Sequence, residues 1–233
     1  MDKLVLFDID GTLIHSGKTP RRAITQAMEK VFGTSGNVDQ YPFSGKTDPQ
    51  IIYELMIGAK IEEAEVNAKM DEAIDQYVQL IQTYLRSDEM TVLTGIDPLL
   101  RSLKDDRNVL LGLLTGNVLA GAKIKLSRAS LDHYFFNGRE PLGAFGSDSM
   151  YRNDLPQIAV ERAMKICSCR FAEKQIVIIG DSPYDVLCGK GLNVKSIAVA
   201  TGWHKSEELA AHEPDFVFED FSSMEPVLQA ILD

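Results

Sequence analysis

Leu4-Val5-Leu6-Phe7-Asp8-Ile9-Asp10-Gly11-Thr12 decides the reading of this 233-residue chain. Four consecutive apolar residues lead into two carboxylates two positions apart, and Gly11 follows as a turn residue. A continuously hydrophobic strand is expected where helices cover both faces of a parallel sheet. In open α/β sheets, chemistry gathers just outside the carboxyl ends of the strands. Asp8 falls at that end, and the turn at Gly11 carries Asp10 just past it. Two like charges so close are costly unless a cation or a shared proton relieves them. The pair therefore points to a metal-assisted site.

Further strand-like runs at 109–114, 176–179, 196–199 and 216–218 alternate with helical segments. That alternation predicts a doubly wound parallel sheet with right-handed crossovers. The stretch 135–145 is a further candidate strand, weakened by its Gly and Pro residues. Between the first two strands lies a helical insertion, residues 16–86, with no convincing strand of its own. The expected division is an α/β core of 1–15 and 87–233 and an inserted helical domain of 16–86. Thr19-Pro20 starts a helix that ends near Phe32, with Gly33 as the stop. Asp48-Pro49 starts another, with Asp48 as a candidate cap. Met70, Ile74, Tyr77, Val78, Ile81, Tyr84 and Leu85 then form an apolar stripe at helical spacing, read as core.

Hydrophobic content of 45% and charged content of 25% are ordinary for a globular protein. No apolar run approaches a membrane span, and the first residues are too acidic for a signal peptide, so a cytoplasmic location is expected. The net charge of −10 argues against a nucleic-acid partner. It is compatible with a small phosphorylated metabolite, because a bound divalent ion and a few local cations reverse the field in one cleft. Cys167, Cys169 and Cys188 lack metal-site spacing and read as reduced thiols, with Cys167-Ser168-Cys169 closing a helix. A monomer or a homodimer fits these features equally.

Three segments in order carry a family resemblance. Asp8-Ile9-Asp10-Gly11-Thr12, Leu113-Leu114-Thr115-Gly116-Asn117 and Ile178-Ile179-Gly180-Asp181-Ser182-Pro183-Tyr184-Asp185 resemble the first, second and fourth motifs of the haloacid dehalogenase-type (HAD) phosphohydrolases. The insertion after the first motif resembles the helical cap of that superfamily, whose linkers would emerge beside Asp8 and Asp10. The nearest group is the phosphoglycolate phosphatase-like one. The resemblance implies Mg2+-dependent hydrolysis of a small phosphomonoester through an aspartyl phosphate, with phosphoglycolate as one candidate substrate.

On that resemblance Asp8 is the nucleophile and Asp10 the general acid and then general base. Asp10 should face the leaving group and stay protonated for the first half-reaction. Asp8, the Asp10 carbonyl and Asp181 are the implied metal ligands, while Asp185 acts through water or by orienting other groups. Asp10 also separates the chain from dehalogenases, because halide departs without a proton. Thr115, Gly116 and Asn117 read from the residues alone as a turn and helix cap; the resemblance turns them toward phosphate binding.

The third motif departs from the pattern. Relatives present a lysine before a helix; here Arg152, ahead of Leu155-Pro156, is the cation in place, and the alternative is a surface arginine. Arg139 is a weaker substitute. Lys46, Thr47 and Asp48 lie in a loop that resembles the substrate-specificity loop of capped relatives. Three rival functions are weighed: a β-phosphoglucomutase-like phosphomutase using the same aspartates, a dehalogenase, which Asp10 disfavours, and a non-catalytic phosphometabolite-binding protein on the same fold.

Overall fold

The structure is a computed structural model that describes residues 2–136 and 141–233. Arg139 lies outside the described residues. In chain order the elements are β1 (Lys3–Phe7), β2 (Ile14–His15), α1 (Thr19–Phe32), α2 (Asp48–Gly58), α3 (Glu63–Tyr84), β3 (Thr91–Val92), α4 (Ile96–Asp105), β4 (Val109–Leu114) and α5 (Leu119–Arg128). They continue with α6 (Asp132–Phe135), β5 (Gly143–Ala144), α7 (Leu155–Cys167), β6 (Ile176–Gly180), α8 (Pro183–Cys188), β7 (Lys195–Val199), α9 (Ser206–Ala210), β8 (Phe216–Phe218) and α10 (Met224–Leu232).

Six strands form a parallel sheet in the order β5-β4-β1-β6-β7-β8. The chain winds outward from β1 to one side and then restarts at β6 on the other. The strand order therefore reverses between β1 and β6, the crevice where ligands bind in doubly wound sheets. Both faces of the sheet are covered, as the apolar run of β1 requires. Val5 and Phe7 join one buried cluster with Leu99, Leu113 and Val177. Leu4 and Leu6 point the other way, into a cluster with Leu155, Ala159 and Ile178. This alternation is the period-two consequence of strand geometry.

The helices of the insertion share a separate core. Ile24 and Met28 of α1, Ile52 and Met56 of α2, and Tyr77 and Ile81 of α3 are buried in one cluster. Met70, Ile74, Val78 and Leu85 of the expected stripe belong to it as well, whereas Tyr84 is 58% exposed. Leu85 takes the inward position one residue later. α1 starts with Pro20 in its first turn and stops at Gly33 in the left-handed region, as read. A two-stranded antiparallel ladder, Ile14 to Val92 and His15 to Thr91, flanks the insertion. Two-residue strands leave no periodicity to read, so they are not legible in the sequence.

Three local expectations are corrected. α2 is capped by Thr47, whose Oγ accepts from the Gln50 N–H, and Asp48 is already helical. Among its described residues, the 135–145 segment contributes Gly143–Ala144 as strand. Ser168 adopts the left-handed conformation that ends α7. The sulfurs of Cys167 and Cys169 are joined around it, where reduced thiols were expected, and Cys188 is free and buried. No described helix is long and apolar enough to cross a membrane.

Leu6 is fully buried in a central strand and Trp203 is 89% exposed. Leu6→Ala should lower unfolding free energy by about 2–5 kcal/mol. Trp203→Ala should change it by less than about 0.5 kcal/mol. Urea denaturation checks both.

Candidate active site

Register brings the first and fourth motifs together. Phe7 pairs with Ile179 across the β1–β6 ladder, and the Asp8 N–H donates to the Ile179 carbonyl at 2.9 Å. Asp8 and Asp181 therefore leave neighbouring strands side by side at the reversal point. Oxygens of Asp8, Asp181 and Asp185 all lie within 4.8 Å of one another, and all three residues are buried.

Asp181 sits in a slot with no room for a side chain on either wall. A Cβ on Gly202 would come within 1.7 Å of its Oδ2, and one on Gly11 within 2.4 Å. Thr12 Oγ donates to its other oxygen at 3.2 Å. Asp185 is oriented from both ends. Its Oδ2 accepts from the Ser182 N–H (3.0 Å) and Oγ (2.6 Å), and its Oδ1 accepts from Arg152.

The electrostatics follow from this crowding. Burial pushes the Asp8 carboxyl up to about 6; Arg152 pulls it down, and Asp185 and Asp10 push it up again. Asp181 is held well above the usual carboxylate range by burial, Asp185 and Asp8. Three carboxylates face one guanidinium, so the cluster lacks positive charge. A divalent cation with a preference for hard oxygen ligands fits this donor set.

Arg152 is no surface residue: it is 4% exposed, just ahead of α7. One of its terminal nitrogens lies 3.3 Å from Asp8 Oδ1 and also binds Asp185. The other donates to the Gly45 carbonyl at 3.3 Å. Its Nε is buried with no partner among the described residues. Burial opposes its charge, but Asp185 and Asp8 outweigh that and hold it cationic.

Asp10 turns away from this cluster. Its Oδ1 accepts from Ser16 Oγ (2.6 Å), and its Oδ2 accepts from Asn117 Nδ2 (2.7 Å) and Lys125 Nζ (2.6 Å). Burial opposes ionisation, but Lys125, Ser16 and Asn117 together hold the carboxyl below its usual range. These donors favour the carboxylate form of Asp10, the form expected once the first half-reaction has used its proton.

Several polar groups of the second-motif loop are engaged within the protein. The Thr115 N–H donates to the Ala144 carbonyl, and the Asn117 N–H to Thr115 Oγ. The Val118 N–H, at the start of α5, donates to Asp48 Oδ2 at 2.8 Å, while the Asp48 N–H donates to the Gly116 carbonyl at 2.8 Å. A carboxylate from α2 thereby occupies the place at a helix N-terminus where an external anion would bind. Asn117 is more than a cap, because its side chain bridges Asp10, Thr115 and Lys125.

The other loop residues stand apart from the acids. Lys46 Nζ binds Tyr41 Oη (2.7 Å) and Glu54 Oε2 (2.5 Å). Thr47 Oγ donates to the Met150 carbonyl at 2.7 Å. Thr47 and Asp48 join the helical layer to the core, and Lys46 is neutralised inside that layer.

The sequence reading missed Lys125 and Ser16. Lys125 had a signal: it shares the buried face of α5 with Gly121, Ala122 and Leu126. A lysine on an apolar helix face needs a partner. Ser16, just before α1, had none.

A family model described as haloacid dehalogenase-like hydrolase matches residues 5–199. The chain is similar to a phosphoglycolate phosphatase of Pseudomonas fluorescens (strain Pf0-1), 22% identical, over 97% of this chain and 79% of that one. It is also similar to the pyrophosphatase PpaX of Bacillus pumilus (strain SAFR-032), 23% identical, over 97% of this chain and 96% of that one. A hydrolase structure from Pseudomonas syringae shares the fold with a TM-score of 0.72 at 19% identity, and each chain is covered completely.

A Cβ on Gly116 would lie 2.1 Å from the Lys46 carbonyl oxygen and 3.0 Å from Thr47 Cα. Gly116→Ala should therefore push the 45–48 loop off the core. Increased proteolysis of that loop, with the sheet still folded, is the expected readout. A second test uses pH. An acid with a raised folded pKa keeps a proton in the fold that the unfolded chain loses earlier, so stability falls as pH rises from about 4 to about 6. With divalent ions chelated, Asp8→Asn should match wild type near pH 4 and exceed it by about 1–3 kcal/mol at pH 8. Urea denaturation in EDTA measures the difference.

Proposed function

The chain belongs to the haloacid dehalogenase-like hydrolase family, and from that premise we propose that it is a phosphatase acting on a small phosphomonoester. The gathering of Asp8, Asp181 and Asp185 around one point at the sheet's reversal carries this reading. The named activities of the phosphoglycolate phosphatase and pyrophosphatase relatives support phosphorus chemistry at that point. Phosphoglycolate is the first compound to test, and a cytoplasmic metabolite is the expected substrate class.

Asp8, Asp181 and the carbonyl of Asp10 would hold Mg2+, a cation that takes few protein carboxylates and keeps several waters. Bound there, it supplies the positive charge that lets an anionic carboxylate approach an anionic phosphoryl group. Asp185 orients the cluster through Ser182 and Arg152.

Asp8 attacks phosphorus, the ester P–O bond breaks, and Asp10 delivers a proton to the departing alkoxide. Water then attacks the aspartyl phosphate, Asp10 takes its proton, and phosphate and free Asp8 result. Asp10 as held in the structure is in the state that accepts the proton from water. Arg152 takes the place of the usual lysine. The 3.3 Å approach of its terminal nitrogen to Asp8 supports pairing with a phosphoryl oxygen. Residues 16–86 serve as a cap whose 45–48 loop closes on the site through the Arg152–Gly45 and Asp48–Val118 contacts.

A panel of metabolite phosphates with Mg2+, including phosphoglycolate and hexose phosphates, tests the proposal. Inorganic phosphate should be released, EDTA should stop the release, and added Mg2+ should restore it. Asp8→Asn should lose at least about a thousand-fold in kcat. If wild type and Asp8→Asn are equally inert across the panel, the protein binds phosphometabolites without turning them over.

A further inference from the structure

We propose that Lys125 is a positioning residue that aims the Asp10 carboxyl group, leaving Oδ1 as the oxygen that exchanges the proton. The inference rests on Asp10 being the acid and base.

Lys125 lies on α5, away from the acidic cluster, and is 4% exposed. A buried ammonium is costly unless its charge and donors are matched. Here Nζ reaches Asp10 Oδ2 and Asn117 Oδ1, each at 2.6 Å. Asn117 in turn donates through Nδ2 to the same Asp10 oxygen, Oδ2, at 2.7 Å, and to Thr115 Oγ at 2.9 Å. One oxygen of Asp10 is thus clamped by two donors that share a hydrogen bond with each other. Both donors belong to the core, one on the second-motif loop and one on a helix.

The other oxygen is held differently. Oδ1 has one side-chain donor, the hydroxyl of Ser16, which sits on the segment leading into α1. The Asp10 side chain is 36% exposed although that of Lys125 is only 5% exposed. A hydroxyl donor can rotate away or turn acceptor, whereas an ammonium cannot accept. Oδ1 can consequently carry a proton without leaving a donor facing a donor; Oδ2 cannot.

Asp48 strengthens the arrangement from the helical layer. Its carboxylate, bound to the Val118 N–H, interacts electrostatically with both Lys125 and Asp10. Lys125 thus carries charge facing two carboxylates from separate parts of the chain, and the clamp is complete with the 45–48 loop docked.

Leaving-group chemistry provides the test. An alkoxide needs a proton as it departs, whereas p-nitrophenolate leaves readily without one. A residue that acts by aiming Asp10 therefore matters for alkyl esters more than for p-nitrophenyl phosphate. A residue that only supports the fold matters equally for both. The quantity to compare is kcat/KM, which covers the steps through P–O cleavage. Lys125→Met should lose at least about ten-fold more on an alkyl phosphate than on p-nitrophenyl phosphate. Lys125→Arg, which returns the charge on a longer, planar group, should narrow that gap.

Equal losses on the two esters in Lys125→Met, with wild type active on both, overturn the assignment and leave the phosphatase reading standing. If wild type cleaves neither ester, both proposals fall together. If Lys125→Met does not fold, the same ratio is read in Lys125→Gln, which removes the charge and keeps a polar end. A selective loss on the alkyl ester supports the assignment; an equal loss, or none, overturns it.

Discussion

Three carboxylates buried at the seam between β1 and β6, with one guanidinium among them, impose the constraint that organises the rest of the molecule. Asp8 and Asp181 directly follow adjacent parallel strands, so the ladder holds their backbones close together. Repulsion between buried carboxylates so placed is met by added positive charge or by protonation. Arg152 meets part of it and is itself held in place by Asp185 and the Gly45 carbonyl. The remaining deficit is what a divalent cation would fill.

A second consequence is the division of labour between the two aspartates of the first motif. Asp8 remains with the acids, while the turn at Gly11 sends Asp10 toward α5. There it meets Lys125, Asn117 and Ser16. Two carboxyl groups two residues apart therefore sit in opposite electrostatic surroundings, one pushed up and one held down. Such divergence lets neighbouring acids take different chemical roles. The helical layer joins in through Asp48, which fills the N-terminus of α5 and sits within electrostatic reach of Lys125 and Asp10.

The parts of this arrangement that depend on strand ends were legible in the sequence. An apolar run followed by an acid identifies both the strand and its chemical end, and the family resemblance then paired Asp8 with Asp181. Features that depend on where side chains turn in three dimensions were not legible. Arg152 could be placed in sequence, but its burial and its grip on Asp8 and Asp185 come from the packing of α7 against the sheet. Asp48 looks like a helix cap because Asp-Pro often starts helices. Thr47 takes that role one residue earlier and frees Asp48 to cap a different helix. Lys46 resembles a ligand-seeking lysine in its loop, yet Glu54, eight residues on, neutralises it. Lys125 was visible only to a reading that asks why a lysine shares the apolar face of a helix.

Calorimetric titration of the protein with Mg2+ at pH 6, in buffers that differ in ionisation enthalpy, tests the central claim most directly. If burial and mutual repulsion hold Asp8 and Asp181 partly protonated, binding should be saturable and should release protons. Both the binding and the release should vanish in Asp181→Asn. Absence of binding in wild type, or binding of undiminished strength in Asp181→Asn, would contradict the account.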